Sequence, residues 1–368
     1  MAAVALSNGT EIGGFRLQNV IGRGGFGITY RAEEKNSGQV YAIKEYLPED
    51  FAERAETGYV SASFGHGDTY ERGLQAFITE ANILKELPRR KGLVRVRGAF
   101  ERSGTAYCVM EFIEGDSLDR MAQRLIRTYG HIPQALLVEL VTSVCWALEA
   151  LHREHLIHRD VKPANIMLRR NGEPVLIDFG AARRLSRREK KEMIFTRSYA
   201  AIEQIPPEMS GFGRDFAEGP WTDLYALSVV LYQLVARKLP PDAMTRARAV
   251  LSGRSDPYEP LSQKQELTQG EDAYDPEFLE AIDHGCGLMP KQRIQNASYF
   301  AERIAPDAWK QMQQNQSDEA YYTEEEDWTM DAQNQTHKPR AKLLLLCSVL
   351  IASAFALLYY VYDIEKLN

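Results

Sequence analysis

Strand-like apolar segments dominate the early chain, at 15–21, 28–33, 40–46, 93–101 and 106–111. One helical stretch, 75–87, interrupts them. Past Met110-Glu111-Phe112-Ile113-Glu114-Gly115 helices dominate. Leu137, Leu140, Val141, Val144, Ala147, Leu148 and Leu151 recur at helical spacing, and further helices are predicted at 221–236 and 276–288. The expected fold class is α+β: an N-terminal extension (1–14), a small β-rich lobe with one main helix (15–110), and a larger helical lobe (111–310).

Two segments of different character follow. Residues 311–342 are rich in Gln, Asn, Glu and Asp, including Glu324-Glu325-Glu326-Asp327, and read as a polar, acidic, solvated linker. Residues 343–362 carry no charge and no proline. As a helix they would span roughly 30 Å, the thickness of a bilayer's hydrocarbon core. Lys338, Arg340 and Lys342 precede this run, while Asp363, Glu365 and Lys366 follow it. That charge asymmetry predicts a single-pass protein with its large N-terminal part in the cytoplasm. Tyr359, Tyr360 and Tyr362 fall where an interfacial aromatic belt would sit. A buried core helix is the competing reading, but such a helix normally carries a polar face. The tail 363–368 is too short for an external sensor domain. No G-x-x-x-G occurs in the span, although Ala352, Ser353, Ala354 and Ala356 are small enough for two helices to meet, which leaves a homodimer open.

Composition narrows the function. The 368 residues are 44% hydrophobic and 26% charged, enough for a packed core. The net charge of −7, from 44 basic and 51 acidic side chains, lacks the basic footprint of a nucleic-acid binder. Cys108, Cys145, Cys286 and Cys347 are not spaced as a metal knuckle or redox pair and read as reduced thiols. The N-terminus has no basic start, so no cleavable signal peptide is expected.

The chemistry begins at Gly22-Arg23-Gly24-Gly25-Phe26-Gly27, between two strand-like runs. Such a glycine motif alone is weak, and a tight hairpin competes equally. A dinucleotide-binding fold would need a helix directly after it, whereas Ile28-Thr29-Tyr30-Arg31 continues as a strand. A strand–loop–strand suits a flap whose backbone approaches phosphates. Tyr41-Ala42-Ile43-Lys44 then places a lysine on a strand, and Glu80 on the lone small-lobe helix is a candidate ion-pair partner. The strongest signal is His158-Arg159-Asp160-Val161-Lys162-Pro163-Ala164-Asn165. It puts a carboxylate, an ammonium and an amide in one loop. Phosphoryl transfer needs those groups as base, cation and metal ligand. Asp178-Phe179-Gly180 follows the apolar strand Val175-Leu176-Ile177 and offers a second metal ligand.

Taken together, these motifs resemble the eukaryotic-type protein serine/threonine kinase family over roughly 15–305, collinearly and at workable spacings. The resemblance implies ATP and Mg²⁺ as cofactors and protein substrates with Ser/Thr acceptors. It implies that Ile21, Gly22, Gly24, Gly27 and Thr29 cover the nucleotide, that Lys44 contacts its phosphates and pairs with Glu80, and that Glu111 to Ile113 form the adenine-binding hinge behind Met110. Asp160 is then the catalytic base, Lys162 steadies the γ-phosphate, and Asn165 and Asp178 bind the metal. Thr196 shapes the acceptor site, Glu203 pairs with Arg293, and Asp223 braces the catalytic loop from below.

Ile43-Lys44-Glu45-Tyr46 and Ala201-Ile202-Glu203-Gln204 resemble the bacterial branch, which implies a bacterial inner membrane. The sequence departs from the family pattern at Thr29 (usually Val), Ile202 (usually Pro) and Ser228 (usually Gly), and in insertions at 50–72 and 206–220. The basic run Arg183-Arg184, Arg187-Arg188 and Lys190-Lys191 reads either as a solvated loop or as a partner for phosphate on Ser186, Thr196 or Ser198. His152, His155 and His158 cannot all face one ion from a regular helix, so the expectation for them is structural. The alternatives are a membrane-held pseudokinase, which loss of Lys44, Asp160 or Asp178 would have marked, and a small-molecule kinase, against which Lys162 and the Thr196-to-Glu203 platform argue.

Overall fold

The computed structural model describes residues 4–87, 91–178, 183–184, 196–213, 216–270 and 272–319. The expected span 343–362, its tail and most of the acidic linker lie outside these residues. So do Phe179, Gly180, Ser186 and most of the basic run.

The small lobe is a six-stranded antiparallel sheet closed on one side by a helix. Its strands are β1 Glu11–Ile12, β2 Phe15–Gly24, β3 Gly27–Glu34, β4 Val40–Tyr46, β7 Val96–Arg102 and β8 Thr105–Glu111, in the order β1-β2-β3-β4-β8-β7. Lys44 stands between Thr29 of β3 and Cys108 of β8 in this register. The insertion after Lys44 forms a small hairpin, β5 Ala52–Arg54 with β6 Val60–Ala62, then runs directly into helix α1, Gly67–Glu86. That helix begins eight residues before the sequence reading placed it. Tyr70, Leu74, Ala81 and Leu84 keep helical spacing and are buried against the sheet, which extends the amphipathic face back into the insertion.

A buried ionic cluster ties the insertion to the sheet. Glu45 and Arg54 form an ion pair with side-chain exposures of 0% and 5%. Tyr30 and Tyr107 donate their hydroxyls to the same carboxylate at 2.9 and 2.6 Å. Arg54 also donates to the carbonyls of Gly58 and Val4, and Leu6 N–H donates to Tyr30 Oη at 3.0 Å. The N-terminal extension is thereby strapped to the strand that carries Lys44.

The large lobe starts with β9 Gly115–Ser117, α2 Leu118–Tyr129 and α3 Gln134–Arg153. Short strands follow: β10 Leu156–Ile157, β11 Ile166–Arg169, β12 Pro174–Leu176 and β13 Arg183–Arg184. The remaining helices are α4 Pro207–Ser210, α5 Pro220–Ala236, α6 Ala243–Leu251, α7 Gln265–Thr268, α8 Pro276–Gly285, α9 Ala297–Ile304 and α10 Pro306–Glu319. Proline at the first position of α5 and α8 suits a helix start, where no intrahelical N–H bond is lost. Asp275 and Asn296 cap α8 and α9 by accepting backbone N–H bonds. Helix α5 buries residues all round, so it forms the axis of the lobe.

Among the described residues one helix, α3, is long and apolar enough to cross a membrane, with mean hydropathy 1.5. Its residues from Leu137 to Leu151 lie in the large-lobe core. Helix α10 carries the chain to Glu319, so the start of the 311–342 segment is helical. Trp309 explains this: it is buried and packs edge-on against Trp146 at 5.5 Å, docking the helix on α3.

One buried ion pair joins the segment just before α4 to the lobe beneath it. Arg293 donates to both oxygens of Glu203 at 2.7 and 3.0 Å, with both side chains 0% exposed. Thr222 Oγ1 donates to Glu203 as well, and the guanidinium lies over the Tyr225 ring at 4.5 Å. Removing one partner strands a buried charge. Arg293→Ala should cost about 3–5 kcal/mol in urea unfolding, while Glu203→Leu with Arg293→Met should recover most of that loss. Equal losses in both variants would show that packing, not the stranded charge, sets the cost.

Candidate active site

The site lies between the lobes, and each lobe delivers its groups on a short, well-fixed segment. From above comes the β2–β3 turn. Gly27 has φ 157°, and a Cβ there would sit 1.8 Å from the Glu45 carbonyl oxygen, so only glycine fits. Gly24 and Gly25 differ: a Cβ on either would meet no protein atom. Their lack of side chains leaves room on the open face of the flap. Ile21 on that flap is exposed, and Thr29 is half-buried.

Behind the flap, Lys44, Glu80, Cys108, Met110 and Asp178 line one pocket with Phe77, Ala81, Leu84 and Val96. Lys44 pairs with Asp178, not with Glu80. Among the described residues no ion pair joins Lys44 to Glu80, which corrects the expected pairing. One ammonium stands between two carboxyls and takes the nearer, Asp178. Burial raises Glu80 well above the usual carboxylate range, against the opposing pull of Lys44. Burial alone would lower Lys44, but Asp178 first and Glu80 second hold it above its ordinary value. Burial likewise pushes the Cys108 thiol up to about 12.

The hinge follows β8. Glu111 N–H donates to Arg95 O at 2.9 Å, and its carboxylate pairs with Arg169 of β11 at 2.8 Å, linking the lobes. The Ile113 side chain is buried in the large-lobe core. This anchors the hinge backbone from below.

The 158–165 loop is held by one buried carboxylate. Asp223, in the first turn of α5, accepts from His158 N–H at 2.8 Å, from Arg159 N–H at 2.7 Å, and meets His152 Nε2 at 2.9 Å. Burial alone would raise this carboxyl, but the His152 bond and charge, then His158, hold it below its ordinary value. His158 Nδ1 accepts from Asp160 N–H, which leaves Nε2 as the donor to Ile177 O at 3.1 Å. His152 and His158 thus serve the loop.

Asp160 sits at the centre of the polar cluster this loop builds. Lys162 Nζ donates to Oδ2 at 2.7 Å, Thr196 Oγ1 donates to Oδ1 at 2.8 Å, and Asn165 Nδ2 donates to Oδ2 at 2.9 Å. Lys162 also donates to Thr196 Oγ1 at 2.9 Å, closing a ring. Asn165 Nδ2 further donates to Asp160 O, so its amide oxygen is the atom left for a cation. Asp178 holds φ 63°, a left-handed conformation uncommon outside glycine, and this strained turn presents its carboxyl to the pocket. Among the described residues no group of three or more His, Cys, Asp or Glu side chains stands ready to enclose a metal. The Asn165 amide oxygen and the Asp178 carboxylate are the oxygen atoms this part of the site offers a cation.

Residues 15–309 match the family model described as the protein kinase domain. The chain belongs to the protein kinase family. Its fold superposes on the structure of PpkA-294 in its apo form with TM-score 0.66 and 31% identity, covering 82% of this chain and 99% of that one. Serine/threonine-protein kinase PknD of Mycobacterium tuberculosis (strain ATCC 25618 / H37Rv) is 26% identical over 312 residues, 84% of this chain and 42% of the relative. Serine/threonine-protein kinase PknA of Nostoc sp. is 32% identical over 173 residues, 46% of this chain and 28% of the relative. The chain thus spans less than half the length of these curated relatives. Family and neighbours together support a protein serine/threonine kinase, and the family implies ATP and a divalent metal.

Arg54 and Glu218 were not expected from the sequence, and Glu45, quoted there only within Ile43-Lys44-Glu45-Tyr46, was given no role. Glu45 alternates with Lys44 on β4, which faces it to the opposite side of the sheet, a signal visible in the strand period. Nothing local marks Arg54 or Glu218.

The raised Glu80 carboxyl has a measurable consequence. The folded chain binds that proton more tightly than the unfolded chain. Its contribution is therefore fully present below the ordinary Glu value of 4.5 and is lost as pH rises toward the raised folded value. Glu80→Gln should remove this slope and be more stable than the parent at pH 7, by thermal melts from pH 4.5 to 8. Parallel curves for the two proteins would contradict the assignment.

Proposed function

We propose that this chain is an ATP- and Mg²⁺-dependent protein serine/threonine kinase, held at a membrane by residues 343–362 and acting in membrane-associated signalling. The observation that carries the chemistry is the closed ring of Asp160, Lys162 and Thr196, with the Asn165 amide bonded to the same Asp160 carboxylate. It places a fixed ammonium and a metal-ligand amide within hydrogen-bond reach of one carboxylate acceptor.

The open flap over Gly24 and Gly25 fits a nucleotide's phosphates, whose anionic oxygens the flap backbone and Lys44 can receive. The donor set of Asn165 and Asp178 fits Mg²⁺, which when bound neutralises phosphate charge and orients the terminal phosphoryl. The hydroxyl of a serine or threonine substrate comes to the Asp160 carboxylate beside Thr196 Oγ1, which stays bonded to Oδ1. Asp160 accepts the hydroxyl proton as the new oxygen–phosphorus bond forms and the bond to the ADP oxygen breaks. Lys162, held against Asp160, balances the charge gathering on the phosphoryl oxygens. Thr196, tied to both, fixes the platform where a substrate backbone lies.

For the membrane, support comes from the uncharged length of 343–362 and its basic leading flank. The bacterial relatives PknD and PknA support a bacterial setting.

Labelled ATP, Mg²⁺ and a generic acceptor protein test the enzyme. The parent should label serine or threonine, and Asp160→Asn should lose about 10²–10⁴-fold in kcat. Nucleotide binding without transfer by the parent would turn the reading to a pseudokinase. Separately, the full chain should float with phospholipid vesicles while residues 1–342 remain in the dense fraction. Flotation of both would place membrane affinity elsewhere in the chain.

A further inference from the structure

Arg159, next to the Asp160 base, has a side chain only 6% exposed. A buried guanidinium needs an anionic partner, and Glu218, itself 8% exposed, supplies one. Arg159 Nε lies 2.9 Å from Glu218 Oε2, though without hydrogen-bond alignment, and Nη2 donates to Oε1 at 3.3 Å. Glu218 belongs to the 206–220 insertion, two residues before α5 begins. Its surroundings are fixed: Gly219 N–H donates to Thr222 Oγ1, Trp221 Nε1 donates to Ala217 O, and Phe212 and Phe216 meet edge-on at 5.5 Å.

The same region grips the rest of Arg159. Asp223 takes its backbone N–H, and Gln204 Nε2 donates to its carbonyl at 2.8 Å. This matters because Arg159 holds φ 67°, a left-handed conformation that costs free energy in a residue with a side chain. The turn that aims Asp160 persists because its surroundings hold it.

We propose that Glu218 is a positioning residue of the phosphoryl-transfer site, a built-in carboxylate that holds Arg159 and so sets the turn into Asp160 without a phosphate on the segment 179–199. The proposal rests on the kinase reading above. A phosphate brought to Arg159 would have to enter beside a buried carboxylate of like charge. Thr196 is already committed to Asp160 and Lys162.

The test uses the full-length chain, with and without exhaustive phosphatase treatment, beside Glu218→Gln, Glu218→Asp, Arg159→Gln and the Glu218→Gln/Arg159→Gln pair. The parent's kcat should not change with phosphatase. Glu218→Gln should lower kcat about 10- to 100-fold with little change in KM for ATP, the scale of a lost bond to a charged group. Glu218→Asp should restore part of it, and Glu218→Gln should add nothing to Arg159→Gln. Hydrogen exchange at 157–161 should quicken in Glu218→Gln. An unchanged kcat, additive losses, or a parent inactivated by phosphatase would overturn the proposal. If Glu218→Gln does not fold, the Asp variant and the phosphatase arm decide. A parent that transfers no phosphate defeats the kinase reading, and exchange at 157–161 then decides separately whether Glu218 fixes the turn.

Discussion

Two oxygens of one buried carboxylate hold the loop on which the whole site depends. Asp223 takes the consecutive N–H groups of His158 and Arg159, and so fixes the peptide that enters Asp160. A backbone pair of that kind in a loop would otherwise face water, and here it is satisfied inside the core. From the same helix start, bonds run through Thr222 to Glu203 and Arg293, and the neighbouring Glu218 reaches Arg159. The 196–204 segment, the 158–165 loop and the axial helix are therefore one mechanical unit, and α5, buried all round, gives it a rigid base.

The small lobe solves a different problem, how to hold a lysine in a pocket without freezing it against the wrong partner. Strand β4 does so by alternation. Lys44 faces the pocket while Glu45 faces the far side, where Arg54, Tyr30 and Tyr107 saturate its carboxylate. The far-side cluster pins β4 to the 50–72 insertion and to residues 4–6, so neither is a passive surface loop. The strand's register against β3 and β8 then sets the height of Lys44 over Asp178.

Much of this was legible in the sequence, because it depends on local period and short spacing. The strands over 15–21 and 40–46, the core face of α3 and the Asp160-to-Asn165 loop all announce themselves within a few residues. What escaped depends on distant partners. Glu218 lies 59 residues from Arg159, and nothing in its neighbours marks it as buried. Arg54 looks like any charge in an insertion until Glu45 is seen beneath it. Helix α1 started early because Tyr70 and Leu74 add a buried face that the glycines at 65 and 67 disguise. The Lys44–Glu80 pair failed for an electrostatic reason no spacing reveals: a second carboxylate, Asp178, 134 residues on, competes for the same ammonium.

The buried pairs around the site, Arg54–Glu45, Arg159–Glu218 and Arg293–Glu203, are poor candidates for raising stability as such. Withdrawing both charges from water offsets most of their attraction, and apolar side chains of similar volume would often serve as well. What apolar packing lacks is direction. A guanidinium offers its donors in a fixed plane, and a carboxylate met by it accepts from a limited set of angles. Arg293 meeting both oxygens of Glu203 fixes the orientation of the platform beside Thr196, and Arg159 meeting Glu218 fixes the turn beside Asp160. Phosphoryl transfer places most of its demand on positioning, since the protein has little covalent chemistry of its own to do. Ionic pairs at the joints, with apolar packing everywhere else, are what that demand selects.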